Sequence, residues 1–146
     1  MEPEADPFDL RRFVDAQRGV YAQALAELHD GHKRSHWMWF VFPQFRGLGA
    51  SAMSQRYAIR SRAEAQAYLE HPLLGPRLVE CFEAVLDAPE SAHELFGSPD
   101  DRKLRSCATL FTVVAPDTPL FQQVIARKFA GEPDQRTLDL LRDASG

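Results

Sequence analysis

Residues 33–49 read KRSHWMWFVFPQFRGLG, a stretch that sets two tryptophans and three phenylalanines between basic clusters and contains no acid. Arginine gives directional bonds to phosphate or carboxylate, lysine gives a mobile point charge, and the faces of tryptophan and tyrosine stack on rings. The chemistry suggested is the binding of a small anionic, nucleotide-like ligand, with Arg34 and Arg46 on the anion and Trp37, Trp39 or Tyr57 against a ring. The loop 45–49 adds two glycines and backbone amides beside Arg46, a nonspecific way to hold an anion. Lys103 joins from a distance. It sits one turn before Cys107 at the edge of an apolar helical face, so its ammonium either reaches solvent or turns into a cavity beside the tryptophans. The expected ligand-binding set is Arg34, His36, Trp37, Trp39, Arg46, Tyr57 and Lys103 on one shared pocket.

Other chemistries find less support. His32 and His36 have the i,i+4 spacing of a metal pair, but Gly31 precedes them and no third ligand is nearby, so no metal site is expected. Ser106 and Cys107 lack an adjacent base and read as a helical serine and a buried thiol, which leaves no hydrolase triad. His36, between Lys33-Arg34 and the tryptophans, is the single candidate for moving a proton, and whether any reaction occurs is open. No motif names a cofactor.

Charge distribution bears on the partner. Between Gly31 and Ala63 the chain carries six cations and no acid, which leaves eleven cations against all 21 acids in the remainder. A basic segment in a mildly acidic protein focuses a positive field over one patch if the fold gathers it. The same window admits a second reading, RNA or single-stranded nucleic acid held by stacking and basic groups, although the acidic remainder repels a long polyanion. A third reading is a noncatalytic protein-interaction domain whose aromatic segment is only core.

The elements that must position these residues read as helices. The segment 17–30 carries Val20, Tyr21, Ala24, Leu25 and Leu28 on one stripe, with Gly31 placed for a left-handed cap. HWMWFVF is apolar on nearly every side and is expected to form a short buried helix ended by Pro43. Ser61 and Glu64 suggest a capping box for a helix that stops at His71-Pro72, and Leu78, Phe82 and Val85 mark the next. Ser98-Pro99-Asp100-Asp101 signals the start of a helix that buries Leu104, Cys107, Ala108 and Phe111 and ends by Pro116. Its two acids cap it or pair with Arg34 or Arg46. Two further helices flank Gly131-Glu132-Pro133. Period-two alternation is hard to find. An all-α, compact multihelical single domain of six to eight helices is expected, with a core over about residues 6–141 and flexible ends.

The 146 residues are 45% hydrophobic, enough for one ordinary core. Cys81 and Cys107 lack disulfide or metal spacing and read as reduced thiols, and no apolar run approaches a bilayer span. With an acidic start lacking a signal-peptide pattern, these features lead us to expect a cytoplasmic protein without membrane attachment.

HWMWFVFPQ, LGPRL at 74–78, ELFGSPDDRKLRSCATLF at 94–111 and DPFDLRRFVDAQ near the start together resemble domain-of-unknown-function family 1810, over about residues 6–141. The resemblance implies a compact multihelical domain and no established activity. Where the family is expected to read LKLRSSMTLF this chain has RKLRSCATLF, so Lys103, Leu104 and Ser106 carry over and Arg102, Cys107 and Ala108 depart.

Overall fold

The first helix is tied down by a single arginine. In the computed structural model, which describes residues 6–144, α1 (Arg11–Gln17) buries Arg12 and spends all five of its N–H donors. They reach the carbonyls of Phe8, Asp9, Arg56 and Ala58 and the Glu64 carboxylate, at 2.7–2.9 Å. At the other end of α1, Gln17 donates to the Phe40 carbonyl at 2.7 Å and thereby anchors the aromatic segment. Ten helices form among the described residues. After α1 come α2 (Tyr21–His29), α3 (Met38–Val41), α4 (Ala52–Arg56), α5 (Arg62–Glu70), α6 (Leu74–Asp87), α7 (Ala92–Phe96), α8 (Asp100–Val114), α9 (Pro119–Lys128) and α10 (Gln135–Asp143).

Several boundaries follow the sequence signals. Gly31 closes α2 at φ +84°, a conformation that costs glycine least. Ser61 caps α5 by accepting from the Glu64 N–H, but the box is not completed. The Glu64 carboxylate instead accepts from the Arg60 N–H and from buried Arg12, because an arginine removed from water requires a charged partner. The complete capping box belongs to Ser91 and Glu94 on α7, a five-residue helix too short to show periodicity. Ser98 does not cap α8: Pro99 holds that position, and the Gly97 carbonyl accepts from the Asp101 N–H at 2.9 Å. The count exceeds six to eight because short helices such as α4 and α7 interrupt connections that read as loops.

The longest helix, α8, packs against α5, α7, α9 and α10, and α6 joins α9 to α2 and α5. The core between them is a relay of aromatic contacts from Trp37 through Phe42, Phe82, Phe121, Phe111, Tyr68 and Phe13 to Tyr57, with ring centroids 5.1–6.1 Å apart. Cys81 and Cys107 lie within it as free, buried thiols, and burial pushes the Cys81 thiol up to about 12. No strand forms among the described residues. A single parallel bridge between Phe45 and Ile59 holds the chain after α3 against the segment entering α5. No helix among them is long and apolar enough to cross a membrane. The expected flexible ends fall at residues 1–5 and 145–146, outside the described residues.

Candidate functional site

The two tryptophans of the opening segment have different fates. Trp37 is fully buried, and its indole N–H donates to Glu27 at 2.9 Å. Glu27 also accepts from the backbone N–H groups of Arg34 and Ser35 and from the Ser35 hydroxyl. Burial alone would raise its pKa, but the bonds from Ser35, Arg34 and Trp37 outweigh that and hold the carboxyl at about 2. An acid supplied by α2 thus organises the whole turn before α3. Trp39, two residues on, is only half-buried and stands at the junction of two cavities.

The first cavity is an apolar lobe of about 230 Å³. Trp39, Phe45, Leu48, Tyr57 and Ala58 form its walls, with Arg46 and Arg60 among the polar lining. The bridge shapes it: Ile59 N–H donates to the Gln44 carbonyl at 2.8 Å and Arg46 N–H to the Ile59 carbonyl at 2.9 Å. Gly47, at φ +94°, takes the chain over this wall, and a Cβ there would press on Leu140 at 3.2 Å. The second cavity, of about 480 Å³, shares Trp39, Gln44 and Leu48 with the first and is polar. Arg102, Lys103 and Arg105 from α8 and Arg136 from α10 line it, with Asp134 as its one acid.

Each charge here has an assignable cause. Lys103 rests 3.8 Å above the Trp39 ring and 3.0 Å from Asp100. Asp100 also holds Lys33 at 2.9 Å, and Lys33 lies 5.1 Å from the Trp37 ring. Burial opposes ionisation of Asp100, yet the two ammonium groups prevail and its pKa is lowered. Asp134 is the N-cap of α10, accepting from the Thr137 N–H and hydroxyl and from the Ser106 hydroxyl, so it locks α10 onto α8. Two donors on the lining are buried and have no partner among the described residues: Gln44 Nε2 and Arg105 Nε.

Of the seven residues expected to converge, the cleft gathers Trp39, Arg46, Tyr57 and Lys103. Arg34, His36 and Trp37 line neither lobe. Arg34 is exposed and pairs with Asp30 at 2.5 Å one turn back, His36 is exposed, and Trp37 is sealed into the core. The pairing of Asp100 or Asp101 with Arg34 or Arg46 is replaced by Lys33 and Lys103 on Asp100 and by His93, 3.5 Å from Asp101. Gln44, Arg105, Ser106, Asp134 and Arg136 are cleft residues that no sequence motif singles out, and in sequence Arg102 stands out only as a departure from a family pattern. A signal exists in RKLR, where Arg102, Lys103 and Arg105 crowd the first turns of α8 beyond two acids that mask them in any charge count. No group of three or more His, Cys, Asp or Glu side chains is placed to hold a metal among the described residues.

Fold and cleft together define a compact all-helical domain carrying a two-lobed, cation-lined cavity at a tryptophan. The chain belongs to the family described as "Protein of unknown function (DUF1810)", which matches residues 7–141. It is similar to a solved structure, the conserved hypothetical protein Rv1873 from Mycobacterium tuberculosis, at 52% identity. The match covers 94% of this chain and 99% of that one with a TM-score of 0.92. No curated protein matches the chain.

Proposed function

We propose that the cleft at Trp39 binds a small anionic, ring-bearing ligand of nucleotide-like chemistry, with the ring in the apolar lobe and the anion in the polar lobe. The observation that carries this reading is the meeting of the lobes at Trp39: an aromatic-walled space of ring dimensions opens beside one lined by four cations and one acid. Ligand sites combine these elements, a mostly apolar wall with a few convergent polar groups, in about 300–1,000 Å³. Lys103 over the Trp39 ring contributes positive charge at the junction, and Arg102, Arg105 and Arg136 supply directional donors. The acids elsewhere on the surface disfavour a long polyanion while leaving a short ligand unopposed.

Calorimetric titration against nucleoside mono- and diphosphates, cyclic nucleotides, dinucleotides, sugar phosphates and a short RNA tests the reading. Saturable binding of one of the small ligands is expected, and Arg102→Ala together with Arg136→Ala should weaken it about tenfold or more, since each removes a charge-assisted bond. Both arginines are exposed, so the paired variant should keep the wild-type melting temperature. Absence of binding by every small ligand, or affinity untouched by the paired substitution, overturns the proposal.

A further inference from the structure

Gln44 presents an anomaly that the protein itself does not resolve. Its residue is 9% exposed, its backbone is fixed by the bridge to Ile59, and its side-chain Nε2 is buried with no acceptor among the described residues. Arg105 repeats the pattern from α8: its Nε is buried and unpartnered, and its guanidinium carbon lies 5.8 Å from the Phe129 ring, which offers no lone pair. A buried donor without an acceptor is costly, so folded proteins retain few, and two on the lining of one cavity point to an acceptor supplied from outside. Both orphans are donors, and the missing partner is therefore rich in acceptors.

We infer that the polar lobe is built for a phosphomonoester, and that Gln44 and Arg105 are the residues that select it, a refinement that rests on the cleft reading above. Charge and acceptor count separate the possible anions. The lobe is lined by Arg102, Lys103, Arg105 and Arg136 against Asp134; Asp134 is engaged by Thr137 and Ser106, Lys103 is shared with Asp100, and the three arginines remain as the surplus. A carboxylate brings one charge and two oxygens to that surplus. A phosphodiester brings one charge and two free oxygens on its phosphorus. A phosphomonoester brings about 1.5 to 2 negative charges near neutrality and three terminal oxygens on one centre. Once the Gln44 amide and the Arg105 side chain turn their buried donors toward the cavity, those three oxygens can accept from Arg105 Nε, from Gln44 Nε2 where the lobes meet, and from the remaining cations together. Gln44 lines both lobes, so the ester oxygen leading to the ring passes beside it.

The pair AMP and 3′,5′-cyclic AMP separates these chemistries with one ring, since only AMP carries the monoester. Titrations at pH 7.5 should give AMP an affinity about tenfold or more above cyclic AMP, the value of one additional charge-assisted bond. The advantage should shrink as the pH falls below about 6, where the monoester dianion takes up a proton and becomes a monoanion. Gln44→Met keeps the volume and removes the orphan donor, so the free protein should melt no lower than wild type while AMP binds several-fold more weakly. Arg105→Lys keeps the charge, removes Nε, and should likewise narrow the gap between the two nucleotides.

Equal or tighter binding of cyclic AMP overturns the inference, and so does AMP binding unchanged by Gln44→Met. A marked fall in the melting temperature of that variant would mean Gln44 is already satisfied within the protein, and overturns it as well. If neither nucleotide binds but a small ligand of the wider panel that lacks a phosphomonoester, such as a dinucleotide, does, this refinement falls and the cleft reading stands. If nothing in the panel binds, both fall.

Discussion

Glu27 shows how one side chain can be fully explained by its bonds and still be absent from any motif. Buried at 6% exposure, it accepts from two backbone amides, a serine hydroxyl and the Trp37 indole, so its ionised form is the one the fold requires. Its folded pKa near 2 lies below the 4.5 of an ordinary glutamate. The stabilisation it contributes is therefore complete above about pH 4.5 and is lost as the pH falls toward 2. Glu27→Gln places an amide NH₂ among donors and should cost about 2–4 kcal/mol at pH 7, read from urea unfolding. The difference between the two proteins should narrow through the acid window, because Glu27 takes up a proton there only in the wild type, while the other carboxylates titrate in both and cancel. Parallel pH profiles would contradict this account. Trp37 and Trp39 differ in burial alone. They are two residues apart and chemically identical, and only burial, which sequence does not display in an all-apolar segment, decides that one is core and the other borders a cavity.

Among the elements, α1 does the most positioning work for its length. Arg12 ties it to the segment 56–58 that walls the apolar lobe, and Gln17 ties it to the end of α3, which carries Trp39. Removing one partner of a buried ion pair leaves an uncompensated charge, so Glu64→Gln should destabilise by about 3–5 kcal/mol. Loss should appear first as hydrogen exchange in α1 and residues 56–60, and a stability within about 1 kcal/mol of wild type would sink the assignment. The long helices were legible in sequence because each has an apolar stripe and punctuated ends, as with Gly31 after α2 and Pro116 beyond α8. The five-residue helices α4 and α7 were not, since one turn and a half carries no period. Ser61 and Glu64 looked like a reciprocal cap because spacing alone cannot reveal that a distant arginine claims the glutamate.

At the scale of the molecule, the basic window was visible in sequence but its convergence was not. The six cations between Gly31 and Ala63 disperse: Lys33 joins Asp100, Arg34 joins Asp30, and only Arg46 and Arg60 reach the cleft wall. The polar lobe draws its charge instead from α8 and the start of α10, which lie some 30 residues apart in sequence and are locked together by Asp134 and Ser106. Lys103 was legible because a lysine at the edge of an apolar stripe is anomalous, whereas Arg136 on a polar helix is not. The most direct test of the cleft as a binding site uses the two indole N–H resonances of ¹⁵N-labelled protein, titrated with AMP and then with the wider nucleotide panel. The account predicts that the Trp39 resonance, at the junction of the lobes, shifts saturably while that of Trp37, held by Glu27 in the core, stays in place. A Trp39 resonance unmoved at saturating ligand, or shifts confined to Arg34, His36 and their neighbours, would contradict it.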